Sequence, residues 1–311
     1  MILTVTPNAA LDITYEIDRL VPGASHRVRR LRARAGGKGV NVTSVLMSMG
    51  YETLATGFAG GPPGQTILAD LTDRGVPHLF TDVLGSSRRN IKVHDGSGEV
   101  TRFNEPGPPV PWSSWEQLRA SLEPLVAGPA TALVSSGKLP AASPPDAVVG
   151  ILELAQAHGV PSVVDAAGPV LLGALSAAPD LVKPNRAELA EVCPGLGVVA
   201  AARELQRRGA KDVAVSLGRD GVVLVPIDGP VLRAFLPVRV EGDPTGSGDA
   251  LVAALSTGVG RDPWEELLRR AVSWSGAAVR QPVAGLVNPN DVAELEPLVV
   301  VEPLRGELDA A

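Results

Sequence analysis

The segment Asp243-Pro244-Thr245-Gly246-Ser247-Gly248-Asp249-Ala250 has the make-up of a site for a moving negative charge. Its glycines permit a tight turn with outward-facing N–H groups, and Ala250–Thr257 continues as a helical run. A helix start favours anions, so Gly246, Ser247 and Gly248 can form an anion hole for a phosphoryl group in flight. Asp249 follows at once, placed to take the proton of an attacking hydroxyl and hold it in line. The same helix start is expected to keep that carboxylate ionised. A glycine-rich turn with an ordinary helix-start Asp would look the same, so the segment alone decides nothing.

Three further stretches support it. Gly36-Gly37-Lys38-Gly39-Val40-Asn41 offers bare backbone for close ligand approach, one cation and one amide. It is not a Walker A loop, because Gly39 follows the lysine where Ser or Thr is needed. In Lys183-Pro184-Asn185-Arg186-Ala187-Glu188, Asn185 and Glu188 share one helical face. They can organise Mg2+ and its waters beside nucleotide phosphates; they can equally form a capping box, and both can hold at once. Ser216-Leu217-Gly218-Arg219-Asp220-Gly221 joins a strand end to two glycines, which allows backbone contact with nucleotide phosphates. Taken alone it is a hairpin turn.

These residues need a frame that brings distant segments to one edge. Short apolar runs at Ile2–Thr6, Thr53–Phe58, Ala132–Ser135, Ser162–Asp165, Leu181–Lys183 and Val213–Ser216 are expected as buried strands. Helical patterns lie between them at Gly39–Met49, Gln65–Arg74, Pro144–His158 and Val198–Arg208, each followed by glycine. That alternation predicts an α/β, three-layer α/β/α fold on a mostly parallel sheet. Two segments break it. Asp12–Ala35 is polar and β-like, and Arg88–Asn104 alternates with period two around Asp95-Gly96-Ser97-Gly98, the signature of a hairpin. Together they predict a small β-sheet lid over the strand C-termini, where ligands bind in such folds. The proline-rich stretch Asn104–Pro111 is expected to return stiffly from that lid, and the tail after Pro297 to be peripheral.

Composition excludes several classes. The 311 residues are 45% apolar but only 3% aromatic, so the core must be small and aliphatic. A net charge of −6 argues against nucleic acid as a partner. One cysteine, Cys193, allows no internal disulfide and fits a cytoplasmic setting. No run of about 18 apolar residues occurs, so no membrane span is expected. The four histidines are not spaced for metal binding. A dinucleotide fold would need Gly-x-Gly-x-x-Gly after the first strand, which leads into Pro7-Asn8-Ala9 instead.

In this order on one chain, the four stretches resemble the ribokinase-like (PfkB) carbohydrate kinase family, from Thr6-Pro7-Asn8-Ala9-Ala10-Leu11-Asp12 through the Asp249 helix. The resemblance implies a single kinase domain over 1–311, with the lid inserted at about 12–35 and 88–104. It implies Asp249 as base, Gly246–Gly248 as anion hole, and Asn185 with Glu188 around Mg2+. Lys183, Asn185, Ser216, Gly218 and Gly221 would contact ATP. In several members two lids clasp, which makes a homodimer through the lid an expected assembly.

Three stretches are similar to the phosphofructokinase and tagatose-6-phosphate kinase branch: Pro7-Asn8-Ala9-Ala10-Leu11-Asp12, Ser87-Arg88-Arg89-Asn90-Ile91-Lys92, and Ser136-Gly137-Lys138-Leu139-Pro140. A phosphorylated sugar needs cations for its dianion. Lys38, Arg88 and Lys138 are the candidates, with Arg27 and Lys92 behind them. Asp12 and Asn41 would orient sugar hydroxyls, and Gly36 and Gly37 would let the sugar approach. Arg29, Arg30, Arg32 and Arg34 read more simply as a solvated basic face. Two features depart from the branch: Lys138 replaces its usual Ser, and Asp243-Pro244-Thr245 replaces its Val-Gly. The expected reaction is ATP-dependent phosphorylation of a ketohexose monophosphate, fructose 1-phosphate first. Tagatose 6-phosphate, fructose 6-phosphate, an unphosphorylated sugar or nucleoside, and a sugar-responsive binding protein without turnover remain alternatives.

Overall fold

A strand that is apolar on both sides, such as Ala132–Ser136, must be covered on both faces. The computed structural model describes residues 1–307 and covers it so. Ten strands form the main sheet. Seven run parallel: β1 (Ile2–Thr6), β4 (Thr53–Ala59), β5 (His78–Asp82), β8 (Ala132–Ser136), β9 (Ser162–Asp165), β10 (Leu181–Val182) and β11 (Asp212–Ser216). Three antiparallel strands extend one edge: β12 (Val222–Val225), β13 (Leu232–Phe235) and β14 (Val300–Pro303). The order is β14-β13-β12-β11-β10-β9-β8-β1-β4-β5. The tail expected to be peripheral thus supplies an edge strand.

Side chains alternate between two helical layers. Leu3, Val5 and Leu133 point into a core built with α3 (Trp112–Val126), α4 (Val149–Ala157), α5 (Gly168–Ala174), α6 (Arg186–Val192) and α7 (Val198–Arg207). Ile2, Ala132 and Val134 point the other way. There they meet α1 (Lys38–Ser48), α8 (Ser247–Ser256), α9 (Trp264–Val279) and α10 (Pro289–Leu295), with α2 (Gly61–Asp73) alongside. The expected three layers are present. Helix α2 begins at Gly61, earlier than the pattern from Gln65 suggested, because Pro62 fits a first helical turn. Helix α4 begins later than Pro144. Its approach is a pair of tight turns, Ala147 N–H to Pro144 O and Val149 N–H to Asp146 O.

The lid is a four-stranded sheet in the order β3-β2-β6-β7. It joins β2 (Ala10–Glu16) and β3 (Arg30–Gly36) to the hairpin β6 (Arg88–His94) and β7 (Val100–Asn104). Strands β2 and β6 pair in parallel, setting Asp12 beside Asn90, while β2 and β3 set Asp12 opposite Arg34. The Asp95 carboxylate closes the hairpin turn by accepting from the N–H groups of Ser97 and Glu99.

Candidate active site

The loops after β1, β8, β9, β10 and β11 and the starts of α1, α6 and α8 gather at one end of the sheet, beside the lid. Asp249 lies in the first turn of α8 and is buried. Gly246 precedes that turn with φ 89°, and a Cβ there would lie 2.7 Å from Ala284 Cβ, so only glycine fits. Ser247 N–H is engaged by Pro244 O at 3.1 Å. The amides of Gly248 and Asp249 come next, where a helix start leaves N–H groups without partners. Of the expected Gly246–Gly248 donors, the Ser247 N–H is thus used within the turn.

Helix α1 reaches across from beneath the lid. Asn41 Nδ2 donates to Asp249 Oδ2 at 2.8 Å, joining the two glycine-rich stretches directly. Burial is the main force on Asp249, and the nearby Asp165 carboxylate adds to it. Against the weaker pull of Asn41, Lys38 and Lys183, they push its pKa up to about 7. The expectation that the helix start keeps this carboxylate ionised is corrected: burial beside a second acid outweighs it, and Asp249 titrates near neutrality.

Asp165, at the end of β9, went unnoticed in the sequence as one aspartate ending a buried strand. It is 1% exposed. Ser136 Oγ donates to its Oδ2 at 2.9 Å, Lys38 Nζ lies 3.2 Å from each oxygen, and Lys183 Nζ is 3.3 Å from Oδ1. Burial alone would raise its pKa, but Lys183 and Lys38 more than offset that and hold it below the usual range. Lys183, expected to face nucleotide, instead spends its ammonium on Asp165 beneath the α8 start, 3.9 Å from where a Gly248 Cβ would be. Lys38 also feels Glu188, whose Oε1 is 3.8 Å away. Burial pulls its pKa down, but Asp165, Glu188 and Asp249 raise it to about 12, so it stays charged.

Asn185 and Glu188 form the capping box of α6. Asn185 Oδ1 accepts from Glu188 N–H at 2.9 Å, and Glu188 Oε2 accepts from Asn185 N–H at 2.9 Å. Glu188 Oε1 is left turned toward Lys38. Among the described residues no three His, Cys, Asp or Glu side chains stand close enough to hold an ion by themselves. A hard cation carried mostly by water and phosphates needs only one or two carboxylates, and Glu188 Oε1 is not used by the cap. Asn185 also bridges to Ser216 at the end of β11. Gly218, with φ 63°, faces open space, whereas Gly221 is required structurally, since a Cβ there would lie 2.0 Å from Ala234 O.

A cavity of about 180 Å³ opens between this cluster and the lid. Lys38, Arg88 and Lys138 supply three cations to its wall, and Asn90, Asn104 and Thr6 supply polar groups. Thr6 Oγ1 is buried and has no protein partner. Arg88 is aimed by donating from Nε to Asn8 O at 3.0 Å. Asp12 accepts from Asn90 Nδ2 at 2.8 Å, and burial raises its pKa. Gly36 backs it so closely that a Cβ would fall 2.0 Å from Asp12 Oδ2. Gly37 has φ 110° and nestles against Thr6. Lys92 lies on the same lid face, two residues past Asn90, while Arg27 sits on an exposed loop away from the cavity.

A buried carboxylate titrating near neutrality, open helix-start amides and a cationic cavity on one cleft are the requirements of phosphoryl transfer to a hydroxyl. The comparisons agree. The model of the pfkB family carbohydrate kinases matches residues 5–291. A 1-phosphofructokinase of Xanthomonas campestris pv. campestris is 34% identical over 96% of this chain and 97% of its own length. Escherichia coli phosphofructokinase-2, solved with fructose-6-phosphate, is 29% identical with a TM-score of 0.85, covering 95% of this chain and 98% of that one. Arabidopsis thaliana ribokinase, at 22% identity and a TM-score of 0.74 over 94% of this chain and 98% of that one, shares the fold. The chain belongs to the pfkB family of ATP-dependent carbohydrate kinases. Among the described residues no helix is long and apolar enough to cross a membrane.

Proposed function

We propose that the protein transfers the γ-phosphoryl group of ATP to the free primary hydroxyl of fructose 1-phosphate, giving fructose 1,6-bisphosphate and ADP. The observation that carries this reading is the cavity walled by Lys38, Arg88 and Lys138 next to the Asn41–Asp249 pair. A neutral sugar would not need three cations; a phosphate dianion does. The names of the Xanthomonas and Escherichia relatives support a phosphorylated fructose.

Arg88 and Lys138 bind the acceptor's phosphate, and Asp12 and Asn41 orient its hydroxyls against the bare backbone of Gly36 and Gly37. Asp249 takes the hydroxyl proton as the oxygen bonds to phosphorus and the bond to the ADP oxygen breaks. The Gly248 and Asp249 amides, in the helix start that follows Gly246 and Ser247, face the charge on the transferring group. Ser216, Gly218 and Gly221 line the nucleotide side, with Asn185 and Lys183 shaping its floor. Glu188 and Asp165 are the carboxylates that would hold Mg2+, which when bound neutralises phosphate charge. Residues 1–311 act as one kinase domain, with the lid at about 12–35 and 88–104 shielding the reaction from water. On the lid's other face Tyr15 pairs with Leu31, and Ile91 with Phe103. Leu31 is 60% and Phe103 55% exposed. We assign that apolar face to a homodimer contact in the cytoplasm.

The test is an ADP-coupled screen of fructose 1-phosphate, fructose 6-phosphate, tagatose 6-phosphate, ribose and adenosine. Fructose 1-phosphate should show the highest kcat/KM. Preference for ribose or adenosine would overturn the phosphate-cavity reading, and ligand binding without ADP release would overturn the enzyme reading.

A further inference from the structure

Asp165 and Glu188 already hold a cation in this structure, and it belongs to the protein. Lys38 Nζ sits 3.2 Å from both Asp165 oxygens and 3.8 Å from Glu188 Oε1. Asp249 adds to the negative charge of this cluster, and Lys38 and Lys183 are its two ammoniums. A divalent ion bound to the Asp165 and Glu188 oxygens would meet the Lys38 ammonium already on them, and two cations cannot share the same oxygens, so one ammonium must withdraw. Lys183 cannot be the one. Its side chain is 4% exposed and packed beneath α8. The Lys38 side chain is 39% exposed and borders the cavity that also holds Arg88 and Lys138. It has room to turn and a second place to go.

We propose that Lys38 is a place-holder for the divalent ion: it occupies Asp165 and Glu188 until metal arrives, then swings into the cavity to meet the acceptor's phosphate. The inference rests on the kinase reading above for what Lys38 meets after release. Its competition with metal does not depend on which sugar is the substrate. The consequence is a gate: the third cation of the acceptor site becomes available only once the nucleotide side is loaded.

Mn2+ binding to the nucleotide-free protein, followed by the loss of the free-ion electron paramagnetic resonance signal, tests the competition. Lys38→Met and Lys38→Gln should both bind Mn2+ at least about tenfold tighter than the parent, since each removes one unit charge about 3–4 Å from the ligands. Lys138→Met removes a charge from the same cavity without touching either carboxylate, and should change affinity less than about twofold. Lys38 variants that bind no tighter than the parent, or an equal gain in Lys138→Met, would overturn the proposal. The parent alone supplies a second arm. Calorimetric titration with fructose 1-phosphate should give at least about fivefold tighter binding with Mn2+ than without. Equal affinity in both conditions refutes the gate. No heat in either condition, with no turnover in the ADP-coupled screen, counts against the substrate reading and leaves the Mn2+ competition to stand or fall on its own arm.

Discussion

Replacing Asp249 by Asn should stabilise the ligand-free protein while abolishing most of its turnover. The carboxyl rises from 3.8 to about 7 on folding, with burial the largest cause and Asp165 the next. Each tenfold change in proton affinity is about 1.4 kcal/mol, so keeping this group charged in the fold costs on the order of 4 kcal/mol. The sign follows from the direction. A raised acid favours the folded state below its unfolded value, and that contribution is lost as pH climbs from about 4 to about 7. At pH 8.5 the parent bears the whole cost; at pH 5.5 it bears roughly half, because the unfolded carboxyl is already ionised there; at pH 4, near the unfolded value, it bears little. The groups facing it are Asn41 and Lys38 from α1, Asp165 from β9 and Lys183 after β10. An Asn can still offer an oxygen to Asn41. Scanning calorimetry should therefore show Asp249→Asn melting at least about 3 °C above the parent at pH 8.5, and within about 1 °C of it at pH 4, at roughly 2 °C per kcal/mol for a chain of this size. Turnover should fall by about 10²- to 10⁴-fold. An Asn variant that melts below the parent at pH 8.5, or one whose advantage is the same at both pH values, would refute the reasoning about burial. A kcat within about tenfold of the parent would refute the base assignment.

For the parent, kcat/KM should rise with pH through about 7 and level off above it, as Asp249 ionises; a flat profile between pH 6 and 8.5 counts against it. Gly36→Ala should raise the sugar-phosphate KM more than about tenfold, because its Cβ would displace Asp12 Oδ2, 2.0 Å away. Gly39→Ala would meet Thr6 Oγ1 at 2.4 Å and should act alike, whereas Gly50→Ala, with nothing within 4 Å, should leave KM unchanged. Leu31→Asp with Phe103→Asp should give a monomer by light scattering if the apolar lid face is the dimer contact; an unchanged mass would remove that assignment.

What was legible in the sequence was mostly what depends on neighbours along the chain. The strand starts, the glycine helix stops, both lid segments and the Asn185–Glu188 box are local patterns, and all are present in the structure. His78–Asp82 carries no apolar run and none of its residues is buried, and only pairing with β4 makes it a strand. Asp165 escaped because nothing beside it in sequence distinguishes it; its role arises from Ser136, Lys38 and Lys183, brought in from three other elements. The ionisation of Asp249 was misjudged for the same reason. A helix start can be read locally, whereas a second acid across the cleft cannot. The pairing of Lys183 with Asp165 on the neighbouring strand is likewise invisible along the chain.

The parallel pairing of β2 with β6 also bears on how the molecule comes together. Asp12 and Asn90 are 78 residues apart in sequence, yet they are direct neighbours in the small sheet. A lone two-stranded hairpin is marginal in water, so residues 10–36 leave the ribosome as half an object. They must wait for β4, β5 and the intervening helix before residues 88–104 arrive to complete them. Closing so long a loop is slow and exposes unpaired strand edges meanwhile. The cover of the cleft is thus the last part of the N-terminal half to be assembled, and the part a nascent chain most needs protected.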